Sequence, residues 1–246
     1  MYKIVLIRHG ESTWNKKGLF TGWVDVALTA LGREEAKEAG KILKKNGFVF
    51  DLAFTSFLKR ASVTLKLALQ ELKQEKVPIK VDWRLNERHY GNLQGLNKLT
   101  TVKKFGAKQV LLWRRGYNFR PPEITKQNSC YQILKERYKN IEVPKTESLK
   151  DVVGRVVLFW QQEIIPALKQ DERIIIVASG NSLRALIKYL DKISASEVVE
   201  LNIPYAIPLV YELDKNFNPQ KHYYLGDIKK LQMEVNKIKN QIKPKK

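Results

Sequence analysis

The sequence predicts an α/β fold, because short buried strands alternate with helices along the chain. Residues 4–7 and 173–178 include apolar, β-branched runs, which are typical of strands that are covered on both faces. Each run leads into a turn that contains glycine. Since α/β folds of about 250 residues commonly have a single core, we expect one domain over residues 1–227, followed by a tail over residues 228–246.

The first strand ends in side chains that suit phosphate chemistry. Gly10 allows a tight turn directly after His9, so Arg8 and His9 lie at the carboxyl end of the strand, where open α/β sheets bind ligands. An arginine offers two parallel donors to phosphoryl oxygens, and a neutral imidazole can attack phosphorus to form a phosphohistidine. Further donors for an oxyanion follow in Ser12, Thr13 and Asn15. The alternative is a structural histidine at a strand end, since Arg-His-Gly also occurs by chance.

A second strand-to-helix corner carries another arginine. Thr29 is positioned to cap a helix that runs to about residue 46, and residues 50–54 form the next predicted strand. Arg60 follows at the start of a helical run that extends through Leu72. Helix N-termini attract anions, and an arginine there adds a formal charge. An ordinary exposed helix arginine is the alternative.

Residues 83–98 mix aromatic and charged side chains without helical or strand periodicity. They follow a short edge strand that we predict over residues 77–81. Such an irregular segment is costly to order unless it has a function. The Glu87 carboxylate, next to Arg88, His89 and Tyr90, suits a proton donor and acceptor close to bound anions. A solvated run of charges is the alternative.

The segment from residue 105 to residue 144 is interpreted as a long irregular excursion. Arg114 and Arg115 lie between Trp113 and Tyr117, where they can stack and clamp a phosphate or a carboxylate. The same side chains would suit a nucleic-acid surface, but no recognisable RNA- or DNA-binding signature surrounds them.

A helix is predicted from residue 146 to about residue 168, before the second apolar strand. Ser179, Gly180 and Asn181 follow that strand and echo the strand end, turn and helix start seen after the first one. Residues 208–213 supply a final strand.

The tail carries an apolar stripe at helical spacing, formed by Ile228, Leu231, Val235, Ile238 and Ile242. Seven lysines and Glu234 give residues 228–246 a net charge of +6. Two hypotheses follow: a helix that docks over an anion-binding mouth, or a disordered basic tail that touches acidic surfaces.

The composition excludes several classes of protein. Lys and Arg number 45 against 25 Asp and Glu, and we interpret the resulting charge of +20 mainly as a solvated surface. Cys130 is the only cysteine, so the chain has no internal disulfide and no cysteine-rich metal site. The first apolar run is too short for a signal peptide, and none is long enough to span a bilayer. We expect a cytoplasmic protein without a membrane or a specific nucleic-acid partner.

Six motifs carry a resemblance to a known family. They are Arg8-His9-Gly10-Glu11, Phe20-Thr21-Gly22-Trp23, the block 83–98, Trp113-Arg114-Arg115, residues 180–185 and Tyr223-Tyr224-Leu225-Gly226-Asp227. With these motifs, residues 2–227 resemble the cofactor-dependent phosphoglycerate mutases of the histidine phosphatase superfamily. The Arg-His-Gly triplet is common to the superfamily, whereas the block 83–98 is a mutase signature.

The resemblance implies a three-layer fold, in which helices cover both faces of a mostly parallel sheet, and a homodimer. It also implies the interconversion of 3-phosphoglycerate and 2-phosphoglycerate in glycolysis and gluconeogenesis. On this basis 2,3-bisphosphoglycerate is the cofactor that phosphorylates His9, and Glu87 moves the hydroxyl proton. No metal is required, because arginines supply the charge that magnesium supplies elsewhere.

The resemblance further implies which residues form the site. The predicted catalytic residues are Arg8, His9, Arg60, Glu87 and Ser179. The residues predicted to bind phosphoglycerates are Arg8, His9, Gly10, Glu11, Ser12, Thr13, Trp14, Asn15, Thr21, Gly22, Arg60, Glu87, Arg88, His89, Tyr90, Lys98, Arg114, Arg115, Gly180 and Asn181.

Ser179 departs from the family, whose members have a second histidine at this position. Losing one preorganised donor costs about a hundredfold to a thousandfold in rate, so we predict a folded protein that binds phosphoglycerates and transfers phosphoryl groups slowly. Tyr205-Ala206, where the family usually has Thr-Gly, is a smaller departure. The alternatives are a phosphatase or a bisphosphoglycerate synthase of the same superfamily, and a catalytically silent phosphoglycerate-binding protein.

Overall fold

The computed structural model describes residues 1–239 and contains a six-stranded sheet. The strands are β1 (Tyr2–Arg8), β2 (Leu52–Thr55), β3 (Ile79–Val81), β4 (Ile174–Ala178), β5 (Leu209–Leu213) and β6 (Pro219–Tyr224). Their order is β3-β2-β4-β1-β5-β6, in which β5 pairs antiparallel with both β1 and β6 and the other neighbours are parallel. The predicted mostly parallel α/β fold is therefore confirmed.

Helices cover both faces of this sheet. They are α1 (Thr13–Lys16), α2 (Ala30–Lys45), α3 (Lys59–Leu72), α4 (Lys98–Phe105), α5 (Ala107–Arg115), α6 (Tyr131–Arg137), α7 (Leu149–Phe159), α8 (Ile165–Lys169), α9 (Gly180–Leu190) and α10 (Ile228–Lys239). Because side chains alternate along a strand, Val5 and Ile7 pack with α2 and α3, whereas Ile4 and Leu6 pack with α7 and α9. Both faces of β1 are buried, as its apolar run predicts.

Two parts of the chain differ from the sequence prediction. The segment 105–144 is not irregular throughout, because it contains α5 and α6. These helices are short, so each offers too few residues for the helical period to stand out. The prediction also omits β6, since its side chains are mostly polar and exposed at the edge of the sheet. Its backbone pairing with β5 fixes it as a strand.

The helix α10 begins at the tail's predicted apolar stripe and is described as far as Lys239. The Lys239 ammonium lies 3.5 Å from the carboxylate of Glu200, so this end of the helix contacts the body of the protein. Ile242, the last residue of the predicted stripe, lies outside the described residues. Among residues 1–239 there is no helix with the length and hydropathy that a membrane crossing requires.

Candidate active site

The carboxyl ends of β1 and β4 lie side by side and bring two distant parts of the chain together. Arg8 pairs with Ala178, and the backbone N–H of His9 donates to the Ala178 carbonyl over 3.1 Å. β2 ends beside them and leads into α3, whose first turn carries Arg60. Three strand ends therefore supply the centre of one pocket, as expected for an open α/β sheet.

His9 is held as a neutral imidazole. Its Nδ1 lies 2.7 Å from the Gly10 carbonyl, which can only accept, so Nδ1 carries the proton. The unprotonated Nε2 accepts a 3.2 Å hydrogen bond from Nε of Arg60. Burial, together with the charges of Arg60 and Arg8, holds the pKa of His9 well below its usual value of 6.5. The ring therefore presents a lone pair, as a nucleophile requires.

Arg60 is almost completely buried and connects His9 to the opposite wall. Its Nη2 donates to the Gly22 carbonyl over 2.8 Å, and its Nη1 donates to the Val24 carbonyl over 2.9 Å. Gly22 has a φ of 55°, and a Cβ there would lie 1.8 Å from Oε1 of Gln94. Only glycine fits this position without displacing its neighbours.

Glu87 is anchored by donors at the start of α9. Its Oε1 accepts hydrogen bonds from Nδ2 of Asn181 at 2.8 Å and from the backbone N–H of Asn181 at 3.3 Å. Asn181 Nδ2 also donates to the Tyr90 hydroxyl, and Asn181 Oδ1 accepts from Nη1 of Arg184 at 2.7 Å. These bonds fix the orientation of the Asn181 amide and, through it, of the Glu87 carboxylate.

The far side of the pocket carries a cluster of buried cations, formed by Lys98, Arg114, Arg115 and Arg184. Burial and the charges of Arg114 and Arg8 hold the pKa of Lys98 well below its usual range. Burial, with the neighbouring Arg114 and Arg184, lowers the pKa of Arg115 to about 9. Each shift reflects the cost of confining like charges in a desolvated place, so a polyanionic ligand is favoured here.

Several buried donors fit such an anion. Nε of Arg8, Nε of Arg184 and the hydroxyl of Thr21 have no hydrogen-bond partner among the described residues. A buried donor without a partner is costly, and phosphoryl or carboxylate oxygens are the acceptors that guanidinium groups match best.

The structure brings most of the predicted residues to the wall of this pocket. They are Arg8, His9, Asn15, Thr21, Gly22, Arg60, Glu87, Tyr90, Lys98, Arg114, Arg115, Gly180 and Asn181. Gly10, Glu11, Ser12, Thr13, Trp14, Arg88, His89 and Ser179 do not line it.

The residues that follow Gly10 are engaged in structural contacts. The Glu11 carboxylate accepts a hydrogen bond from the Thr29 hydroxyl over 3.0 Å, and Ser12 forms a capping box with Asn15 at the start of α1. Trp14 packs against the cluster around Trp23. Of the predicted oxyanion donors that follow Gly10, Asn15 lines the pocket, whereas Ser12 and Thr13 do not.

Arg88 and His89 also have structural contacts. Nε of Arg88 donates to the Glu147 carbonyl over 2.8 Å, and its Nη2 donates to the Phe119 carbonyl over 2.7 Å. The backbone N–H of His89 donates to Oε2 of Glu147, and burial lowers the pKa of its imidazole to about 4. Both residues hold the 83–98 segment against the loop that contains Glu147.

Ser179 occupies the N-cap position of α9 but makes no capping hydrogen bond. Its side chain is fully buried, and its hydroxyl has no partner among the described residues. It lies one residue beyond Ala178, whose carbonyl binds the backbone of His9. The position is therefore close to the nucleophile in the fold, but the serine hydroxyl makes no hydrogen bond with the described residues.

Several pocket residues are missing from the sequence prediction. They are Leu19, Phe20, Arg184, Leu201, Asn202 and Ile203. Arg184 and Phe20 belong to motifs that carry the family resemblance, which is the signal that could have found them. Arg115 donates to the Leu201 carbonyl at 3.0 Å and to the Asn202 side chain, and Arg8 donates to the Ile203 carbonyl at 2.8 Å. Only the folded chain reveals these contacts.

The chain is similar to known proteins in sequence and in fold. The family model of the histidine phosphatase superfamily (branch 1) matches residues 4–221. The 2,3-bisphosphoglycerate-dependent phosphoglycerate mutase of Borreliella burgdorferi (strain ZS7) is 52% identical over 248 aligned residues, which cover 100% of both chains. The protein of the same description from Borreliella afzelii (strain PKo) is 52% identical over 98% of both chains.

Solved structures share the fold at low sequence identity. The chain matches a putative alpha-ribazole-5'-P phosphatase from Escherichia coli with a TM-score of 0.67 and 22% identity, covering 92% of this chain and 98% of that one. A mycobacterial glucosyl-3-phosphoglycerate phosphatase, in complex with VO3, gives a TM-score of 0.67 and 24% identity over the same shares.

Proposed function

The chain belongs to the 2,3-bisphosphoglycerate-dependent phosphoglycerate mutases of the histidine phosphatase superfamily, and from this premise we propose how its pocket interconverts 3-phosphoglycerate and 2-phosphoglycerate. The observation that carries the proposal is the neutral His9, whose Nε2 faces a pocket lined by cations. A nucleophile for phosphorus and a binding surface for a second anionic group lie in one cavity.

His9 performs the first step. Its Nε2 lone pair attacks a phosphoryl group of 2,3-bisphosphoglycerate, the bond between phosphorus and the sugar-acid oxygen breaks, and the imidazole becomes a phosphohistidine. Arg8 and Arg60 offset the negative charge that builds on the phosphoryl oxygens. Both guanidiniums are held in advance by backbone carbonyls. The Nε–H of Arg60, which donates to Nε2 of His9 in the free site, turns to a phosphoryl oxygen when the lone pair of that nitrogen attacks phosphorus.

Glu87 carries the proton in both directions. It protonates the oxygen that leaves phosphorus in the first step and takes the proton from the acceptor hydroxyl in the second. Its position supports this role, because it lines the pocket and is 9% exposed. The phosphohistidine gives its phosphoryl group to the one free hydroxyl of the bound monophosphoglycerate, which forms 2,3-bisphosphoglycerate, and His9 then takes the other phosphoryl group of that molecule. Transfer to O2 of 3-phosphoglycerate and removal of the group at O3 leave 2-phosphoglycerate, and the opposite order runs the reaction in reverse.

The far cluster holds the rest of the substrate. Lys98, Arg114 and Arg115 supply the positive charge for the carboxylate and for the phosphate that is not transferred. Arg184 fixes the Asn181 amide on which Glu87 rests. We propose that this second anchor favours retention of the intermediate over its release and hydrolysis.

The test is a turnover assay of 3-phosphoglycerate with and without added 2,3-bisphosphoglycerate. The proposal expects 2-phosphoglycerate to form only when 2,3-bisphosphoglycerate is present, together with a phosphohistidine that is absent from His9→Gln. Inorganic phosphate as the main product would indicate a phosphatase. Net formation of 2,3-bisphosphoglycerate would indicate a synthase. Binding without phosphohistidine formation would indicate a silent binding protein.

A further inference from the structure

Tyr205 lies directly against two residues of the proposed reaction. The Cζ atom of Arg8 is 4.0 Å from the centroid of the Tyr205 ring, which is the distance of a stacked cation–π pair. The Tyr205 and His9 rings lie 6.2 Å apart between centroids. Tyr205 is only 2% exposed, so little water competes with these contacts.

The backbone around Tyr205 is fixed to the same strand end. The N–H of Ala206 donates to the Arg8 carbonyl over 2.9 Å. Ala206 has a φ of 46°, a left-handed conformation that residues with a Cβ rarely adopt. Strained residues persist where the surrounding contacts over-determine them, and here those contacts join the Tyr205 segment to Arg8.

Arg8 has two other contacts, and the Tyr205 ring supports one face of its guanidinium. Its Nη1 donates to the Ile203 carbonyl over 2.8 Å. The backbone of Gly180 approaches from another side, since a Cβ at Gly180 would lie 3.1 Å from Nε of Arg8. A long, flexible side chain is thereby confined, with Nε buried and without a partner among the described residues.

We propose that Tyr205 is a positioning residue for phosphoryl transfer, whose aromatic ring stacks on the Arg8 guanidinium and holds its donors ready for the phosphoryl oxygens. The proposal rests on the proposed function of Arg8, and it assigns the effect to the ring and not to the hydroxyl.

The experiment compares Tyr205→Leu, which removes the ring, with Tyr205→Phe, which keeps it. Tyr189→Leu is the matched control, because Tyr189 lies on α9 and is 39% exposed. Two quantities are measured: the dissociation constant for inorganic phosphate, by calorimetry, and the single-turnover rate of His9 phosphorylation by labelled 2,3-bisphosphoglycerate. Tyr205→Leu should raise the dissociation constant and lower the rate, each roughly three- to thirtyfold. Tyr205→Phe should have values close to those of the unsubstituted protein.

A double-mutant cycle with Arg8→Lys tests whether the ring acts through Arg8. Lysine does not provide the planar face of a guanidinium, so Tyr205→Leu should cause little further loss in the Arg8→Lys background. Fully additive losses would overturn the proposal. So would an equal loss in Tyr205→Phe and Tyr205→Leu, since the hydroxyl would then be responsible.

The two proposals fail in different ways. If the unsubstituted protein binds phosphate but His9 is never phosphorylated, the proposed function fails. The effect of Tyr205→Leu on phosphate affinity still tests the stacking of Tyr205 on Arg8. If labelling proceeds and Tyr205→Leu leaves both quantities unchanged, the stack is refuted alone. Circular dichroism monitors folding, and Tyr205→Met replaces Tyr205→Leu if the latter does not fold, with the same expected losses.

Discussion

At the scale of single residues, Ser179 has the largest expected effect on rate. It is buried next to the backbone of the nucleophile, and its hydroxyl has no partner among the described residues. The family resemblance implies an imidazole at this position, which can donate to phosphoryl oxygens and carry positive charge. A serine side chain is shorter than an imidazole and cannot carry positive charge.

Restoring the imidazole should therefore increase activity. We expect Ser179→His to raise turnover of 3-phosphoglycerate by about a hundredfold or more, because one preorganised donor contributes that much in comparable sites. Ser179→Ala is the matched control and should change turnover little, since the hydroxyl that it removes makes no hydrogen bond with the described residues. An unchanged rate in Ser179→His would contradict this explanation.

The pKa of His9 gives a second prediction. Because it is held well below 6.5, the ring should stay neutral as the pH falls through 6.5, and protonation at lower pH should abolish its nucleophilicity. Nitrogen-15 NMR of the imidazole groups measures this directly, with His9→Gln used for assignment. A His9 signal that titrates near 6.5 would show that the ring is not desolvated.

His89 makes the stability of the fold depend on pH. Its folded pKa of about 4 lies below its usual 6.5, so the unfolded chain binds more protons, and its contribution is complete above 6.5 and lost as the pH falls. Lowering the pH from 7 to 5 should cost about 2 kcal/mol of unfolding free energy at this residue. Urea titrations at both pH values, with His89→Gln as the comparison, should show a smaller loss in the variant.

The sequence predicts which residues lie together at the site, but it does not predict all of their hydrogen-bond partners. Arg8, His9 and Arg60 follow strands, so their convergence at one edge of the sheet was predictable. Glu11 and His89 are predicted to bind substrate, and in the structure they also bond to Thr29 and Glu147. Those partners are distant in the chain, and a polar side chain does not reveal in advance which distant partner it will meet.

At the scale of elements, the turn after β1 is held by close backbone packing against α2. A Cβ on Gly10 would lie 2.2 Å from the Gly32 carbonyl oxygen, and a Cβ on Gly32 would lie 2.1 Å from the Glu11 carbonyl oxygen. The helix thus approaches the turn that carries His9 as closely as two backbones permit. This packing of α2 against the turn holds His9 in position.

Gly32→Ala should displace that turn. We expect it to reduce the unfolding free energy by about 1 to 3 kcal/mol, as overpacking commonly does, and to lower the rate of His9 phosphorylation. Gly154→Ala is the matched control, because Gly154 lies inside α7 and a Cβ there would meet no neighbouring side chain or element within 4 Å. That variant should be more stable by roughly 0.5 to 1 kcal/mol. Thermal unfolding measures the stability of both variants. An equal change in Gly32→Ala and Gly154→Ala would contradict the explanation by close packing at Gly32.

Elements with a strong pattern were predicted well, and weakly patterned ones were not. α2 and its Thr29 cap agree with the prediction, since an apolar stripe and a capping side chain are local signals. β6 escaped prediction because an exposed edge strand has little apolar alternation and is defined by its pairing with β5.

At the scale of the whole molecule, the charge of +20 and the buried cations of the pocket act in the same direction. A surface with a net positive charge attracts an anionic substrate over roughly the Debye length, about 10 Å at 0.1 M salt. Homodimerisation, implied by the family resemblance, stays a prediction that light scattering in solution can measure.

Substrate capture should weaken as salt screens this field. We expect the KM for 3-phosphoglycerate to rise several-fold when the potassium chloride concentration increases from about 20 mM to about 200 mM, with a smaller change in kcat. Steady-state kinetics at constant pH measure both. Lys41 is exposed and lies in the carboxyl-terminal half of α2, away from the turn that carries His9. The variant Lys41→Ala is therefore a control for the effect of one surface charge. A KM that does not respond to salt would contradict a role for long-range attraction.

The position of β1 in the middle of the sheet also bears on how the protein is made. β1 ends at Arg8, yet both of its neighbours come much later in the chain, since β4 begins at Ile174 and β5 begins at Leu209. Loop closure over such separations is slow. During synthesis the strand must therefore wait, with its apolar side chains unpaired, until β4 and β5 have left the ribosome. A truncated chain that ends before β4 has no partner for it and is an expected substrate for chaperones.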